Sequence, residues 1–232
     1  MTSTEWAQWV EAIGTITAAI VALIIALFQD KMRAWIVRPK LEVSIDVKPP
    51  DCLKIPIVRY GSEGEQEVVA DTYHLRFRVT NKGNQKAESV EVFASKLLRR
   101  QVDDTFKEVD TFLPMNLVWA DYRKVFFPAI SPNMYRHCDL AHIIDPQKRA
   151  GFTAEDKKWP KIPPEQTVLS FDTAVKPHTL SHLLPFGKYR LVIIVAAANA
   201  KPVEKTLEIS LTGDWYDDEQ RMFQEGVGVR IL

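Results

Sequence analysis

Cysteine is nearly absent: Cys52 and Cys138 are the only two in 232 residues. Two thiols cannot staple a domain of this size, so a disulfide framework is excluded. Net charge is absent as well, with 30 Lys plus Arg against 30 Asp plus Glu. That removes long-range attraction to a phosphate backbone. The doublets Arg99-Arg100 and Lys157-Lys158 also lack an aromatic platform pattern, so no nucleic-acid partner is expected. The nine glycines are scattered, and no P-loop, GxGxxG or Gly-x-Ser-x-Gly elbow occurs. The rest of the composition is ordinary, which excludes wholesale disorder and fibrous classes.

Charge is also missing from one long run. Residues 12–28 read AIGTITAAIVALIIALF. At ~1.5 Å per residue the run spans roughly 25 Å, the low end for crossing a bilayer. Trp6 and Trp9 precede it and Trp35 follows, as suits the headgroup zones, and Lys31 and Arg33 join them as expected interfacial anchors. The preceding flank holds Glu5 and Glu11 and no basic residue, which argues against a cleaved signal peptide. Lys31, Arg33, Arg38 and Lys40 all follow the run, so the positive-inside rule places the N-terminus outside and the larger part in the cytoplasm. The expected division is a short outer N-terminus (1–11), a transmembrane helix (12–29), a basic juxtamembrane segment (30–40) that ends its helix before Pro39, and a soluble domain (41–232).

Gly14, Ala18, Ala22 and Ala26 recur every four residues on that helix. Small residues in register let two backbones approach in lipid, so self-association through this stripe is an expected possibility.

From Leu41 the period changes to two. LEVSIDV puts Leu41, Val43, Ile45 and Val47 on one face, and TYHLRFRVT does the same with Tyr73, Leu75, Phe77 and Val79. After the turn signal Asn81-Lys-Gly83-Asn84, AESVEVFAS returns with Val90 and Val92 on one face, suggesting a hairpin-like pair. Further strands are expected in 168–175, 188–198, 203–211 and 227–232. About seven short strands without an amphipathic helix between them predict a mainly β fold, an antiparallel Ig-like β-sandwich preceded by one N-terminal transmembrane α-helix.

The stretch LRFRVTNKGNQKAESVEV (75–92) resembles bacterial Ig-like adhesion-type modules: a strand ending in Val-Thr-Asn, a glycine turn, then Ala before Val-x-Val. The layout of helix, Arg-Pro-Lys and β-domain is similar to that of uncharacterised bacterial single-pass membrane proteins. The resemblance implies a bacterial inner membrane and transfers no catalytic residue.

Residues 101–165 break the strand rhythm and are read as an aromatic, proline-rich insertion, with a strand near MNLVWAD and a short helix near FTAEDKKW capped by Thr153. Its Trp119, Tyr122, Phe126, Phe127 and Tyr135 form the candidate binding surface for a protein or small-molecule partner. The segment between Val47 and Ala70 reads as a second, polar loop. His137-Cys138, His142, His178 and His182 hint at zinc, but CxxC and HExxH are missing, so neither a metal nor another cofactor is expected. No catalytic constellation is evident. The functional expectation is a non-enzymatic, membrane-anchored binding module. The alternative is a partner-regulated membrane effector, for example in bacterial defence, acting by helix clustering.

Overall fold

The computed structural model describes residues 3–36, 38–62, 64–120, 122–149 and 162–232, and within the N-terminal helix the side chains of Trp6, Trp9 and residues 11–28. The chain divides into two compact units, one ending at Arg38 and the other comprising Pro39–Leu232.

The first unit is a single helix, α1 (Ser3–Ile36). Its window Glu11–Phe28 is long and apolar enough to cross a membrane, and none of it is buried. Ile13, Ile16, Ile20, Leu23, Ile24 and Leu27 are all exposed, so the helix is apolar on every side. Thr15 and Thr17 donate their hydroxyls to the carbonyls of Glu11 and Ile13, which satisfies the two polar side chains of the run 12–28. Trp6 and Trp9 are exposed one helical turn apart. Lys31, Arg33 and Trp35 fall in the last turns, where side chains lie outside the described residues.

The second unit is two antiparallel sheets. One contains β1 (Leu41–Ser44), β2 (Cys52–Tyr60), β3 (Gln66–Asn81), β8 (Tyr135–Ile144), β9 (Leu169–Phe171) and β10 (Leu183–Leu184). The other contains β4 (Ala87–Arg100), β5 (Phe106–Glu108), β6 (Met115–Asn116), β7 (Phe126–Ile130), β11 (Gly187–Ala197), β12 (Ala200–Leu211) and β13 (Val227–Ile231). In the first sheet β3 is flanked by β1 and β2 on one side and by β8, β9 and β10 on the other. In the second, β11 lies between β12 and β4. Tyr73, Leu75, Phe77 and Val79 of β3 share one buried cluster with Leu191, Ile193 and Val195 of β11 and Leu207 and Ile209 of β12. The mainly β, antiparallel architecture is therefore the one the period-two pattern predicts.

Two sequence expectations need correction. β3 and β4 are not a hairpin: they belong to different sheets, and the turn between them passes from one sheet to the other. Residues 101–165 are not an insertion either, because β8, which pairs with β3 from Thr72↔Ile144 to Thr80↔Tyr135, is an inner strand of its sheet. The predicted strand near MNLVWAD corresponds to β6 and to isolated bridges at Leu117 and Trp119, while the predicted helix near FTAEDKKW lies outside the described residues. The polar loop expected after Val47 contains β2, an edge strand whose Pro56 is tolerated because edge strands need not donate on both sides.

The crossing turn is organised by one buried side chain. Asn81 Oδ1 accepts the N–H groups of Lys40 (3.1 Å) and Gly83 (3.0 Å), and Nδ2 donates to the carbonyls of Gln85 (2.7 Å) and Ile130 (2.9 Å). Its backbone N–H donates to Met134 O and its carbonyl accepts from Asn133. One residue thus joins the start of β1, the β3–β4 turn, the end of β7 and the turn into β8. Asn81→Ala strands four backbone groups, that of Ile130 fully buried and the others part-buried, and a loss of about 3 kcal/mol is expected in urea unfolding followed by tryptophan fluorescence.

Candidate functional site

The outer face of the β3–β8–β9 layer carries an uninterrupted charged seam. Inward residues of β3 are buried, so His74, Arg76 and Arg78 point to the other face. Their partners on β8 depend on a bulge. Leu75 pairs with Ala141 but Arg76 pairs with Asp139, leaving Leu140 as the extra residue. Were the register continued unbroken from Leu75, Leu140 would face Arg76 and Cys138 would face Arg78. With the bulge, Asp139 meets Arg76, His137 meets Arg78, and Cys138 turns into the core opposite Phe77.

The resulting contacts are short. Arg76 Nε donates to Asp139 Oδ1 at 2.9 Å. Asp51 is fully buried; its Oδ2 accepts the N–H of Asp46 at 2.9 Å, and its Oδ1 is 3.0 Å from His137 Nε2. Arg78 Nε lies 3.1 Å from Asp51 Oδ2 without hydrogen-bond alignment, and its Nη2 donates to Asp46 at 2.9 Å. Farther along, His142 stands opposite both His74 and Ser170, and its Nδ1 is 2.7 Å from Asp172 Oδ1. The rings of His74 and His142 are 5.9 Å apart. His74 Nδ1 and Asp172 Oδ2 are buried without a hydrogen-bond partner.

Burial sets the protonation states. It lowers the His74 pKa to about 4, reinforced by the charges of His142, Arg76 and Arg123 and opposed by Asp172. Burial and the charge of Asp172 raise Asp139, against the pull of Arg76. Burial pushes the Cys52 thiol up to about 12 and raises Cys138 as well, so both are poor nucleophiles.

The seam borders the aromatic residues singled out in the sequence. Trp119 is a correction: it is fully buried, bridged to Cys138, with Nε1 donating to Val125 O at 3.2 Å, and cannot belong to a surface. Its size and its pairing with an inward strand position draw it into the core. Phe127 is half-buried and packs on it at 5.3 Å. Tyr122, Phe126 and Tyr135 are exposed by 42%, 51% and 44%, large values for aromatic side chains. Cations accompany these rings: Lys124 lies 4.8 Å from Tyr122, Arg136 5.2 Å from Phe127 and Arg78 6.0 Å from Tyr135. Tyr135 also contacts His137 edge-on at 5.4 Å, which joins the aromatic margin to the seam.

His137 and Cys138 point to opposite faces, as adjacent strand residues must, and among the described residues no group of three His, Cys, Asp or Glu could hold a metal ion. His142 with Asp172 has the geometry of an oriented base, but no hydrogen bond links Ser170 to it. The arginine and carboxylate positions of the seam were missed in the sequence. Outward charges on a strand look the same whether they are solvated or locked together across the sheet.

Comparison with protein-family models, curated proteins and solved structures finds no match to this chain.

His74 generates a pH test. Between about 4 and the ordinary 6.5 the unfolded chain holds a proton that the folded chain does not, so stability falls as pH falls through that window. A loss of about 3 kcal/mol attributable to His74 is expected from wild type minus His74→Gln in urea titrations at pH 7 and pH 4. An imidazole that titrates by NMR near 6.5 would contradict this.

Proposed function

We propose that the chain is a non-enzymatic, membrane-anchored binding module. α1 holds it in a bacterial inner membrane with the N-terminus outside, and the β-unit recognises a partner at the cytoplasmic face. The anchoring reading is supported by the apolar window Glu11–Phe28, by the flanking tryptophans and by basic residues that follow the window but do not precede it.

The observation that carries the binding reading is the margin of Tyr122, Phe126 and Tyr135. Tyr122 and Tyr135, exposed rings with cations beside them, and the exposed Phe126 match the composition of protein interface centres, which favour aromatic residues and arginine. Cross-strand pairs in the charged seam, Arg76 with Asp139 and Arg78 with Asp51, fix β3 and β8, so the margin stands on a rigid support. The helix-clustering alternative rests on the Gly14, Ala18, Ala22 and Ala26 stripe alone.

A photoreactive benzoyl-phenylalanine at position 122, 126 or 135 of the full-length chain in its membrane tests the binding reading. A discrete adduct is expected at these positions and none at Tyr60, an exposed aromatic on β2 away from the margin. Equal labelling at Tyr60, or no adduct at any margin position, would contradict it.

A further inference from the structure

The zero net charge conceals a division between the two ends of the sandwich. At one end lie Lys40 where the chain enters β1, the β3–β4 turn 82–86 (Lys-Gly-Asn-Gln-Lys), the β7–β8 turn 131–134 (Ser-Pro-Asn-Met) and Lys201 at the start of β12. Together they present four lysines, Lys40, Lys82, Lys86 and Lys201, all exposed. The carboxylates Glu42 and Glu88 stand beside them at the starts of β1 and β4. The opposite end is richer in acids, with Asp103 and Asp104 before β5, Asp145 after β8, and Asp214, Asp217 and Asp218 after β12, among which Arg100 pairs with Asp104 at 2.7 Å.

The cationic end is built as one piece. Lys82 N donates to Lys40 O, Asn133 N to Asn81 O, and Asn199 Nδ2 to Lys86 O, while Asn199 Oδ1 accepts from Glu88 N. The four loops are therefore held in fixed relation and present their lysines together. Among them Met134 and Tyr135 are exposed by 49% and 44%, an apolar tip and an amphipathic ring amid cations. Cations around an exposed ring and a thioether are the chemistry of a surface that lies on anionic headgroups and inserts shallowly.

Chain connectivity selects the same partner. From the end of the apolar window at Phe28, the helix to Ile36 and the linker 37–39 reach Lys40 within about 26 Å. A bilayer that holds α1 is therefore always within reach of this end, at high effective concentration. A free anionic partner would have no such advantage.

We propose that the Lys40 end of the β-unit is a docking surface for anionic lipid headgroups. Docking would orient the sandwich with its acidic end away from the bilayer and leave Tyr122 and Phe126 of the aromatic margin free for a partner. The proposal rests on the reading of α1 as the membrane anchor.

The test uses the full-length chain with Met134→Cys, labelled with an environment-sensitive dye. Cys52 and Cys138 are buried and free, so the label goes to position 134. The protein is reconstituted in phosphatidylcholine vesicles with or without phosphatidylglycerol. Blue-shifted emission and quenching by headgroup-labelled lipid are expected only with phosphatidylglycerol, and are lost at high salt. Lys82→Gln with Lys86→Gln should lower the docked fraction's ratio about 25-fold, taking about 1 kcal/mol per cation. Lys201→Gln, in a separate loop, should lower it about fivefold on the same basis. Lys107→Gln with Lys148→Gln, toward the acidic end, should leave it unchanged. Equal signals in both lipids, or signals indifferent to the three lysines while the protein still co-floats with the vesicles, would overturn the docking surface alone. Failure to co-float with either vesicle would overturn the anchoring and the docking with it.

Discussion

The β-unit depends on the four hydrogen bonds of the buried Asn81 amide. A two-sheet sandwich must carry its chain from one sheet to the other, and the crossing leaves backbone groups that neither sheet can satisfy. Asn81 supplies two acceptances and two donations at that point, to Lys40, Gly83, Gln85 and Ile130. No aliphatic residue could replace it, and aspartate would lose both donations while burying a charge. The same contacts gather the loops of one end into a fixed group, so a structural requirement of the fold also shapes the surface that follows the helix.

A second constraint operates in β8. One extra residue, Leu140, changes which side chains face outward, and so determines whether arginines meet carboxylates or apolar groups. Buried ion pairs contribute little net stability, but removing one partner is costly, so such pairs hold a register firmly once it forms. The Arg76–Asp139 and Arg78–Asp51 contacts therefore tie β2, β3 and β8 in one alignment. The exposed aromatic rings beside them inherit that rigidity.

Much of this was legible in the sequence, and the failures share physical causes. Tyr73, Leu75, Phe77 and Val79 alternate cleanly because β3 has one buried face, and the same holds for β11 and β12. β8 is hidden because its bulge breaks the alternation, giving four successive buried residues from Cys138 to Ala141. β2 and β7 are hidden because Pro56 and Pro128 argue against strands, although both lie on edges. Pro128 faces Ser89, where β4 departs from extended backbone with φ 50°. Asn81 was legible as a turn residue but not as the junction of four segments, because its partners are as far as Lys40 and Ile130 in sequence. Of the candidate surface, Tyr122, Phe126 and Tyr135 are exposed, Phe127 is partly covered, and Trp119 serves the core, a distinction that aromatic content alone cannot make.

Hydrogen exchange of the Lys40 and Gly83 amides tests the central role of Asn81 most directly. Both lie at a surface-exposed end of the sandwich, where turn amides ordinarily exchange fast. If the Asn81 junction holds the fold together, they exchange only by global unfolding, as slowly as the amides of Phe77 and Ile193 within the sheets. Exchange of either amide at the rate of an open turn, with the sheets still protected, would show that the two sheets stand without the junction and would contradict the account.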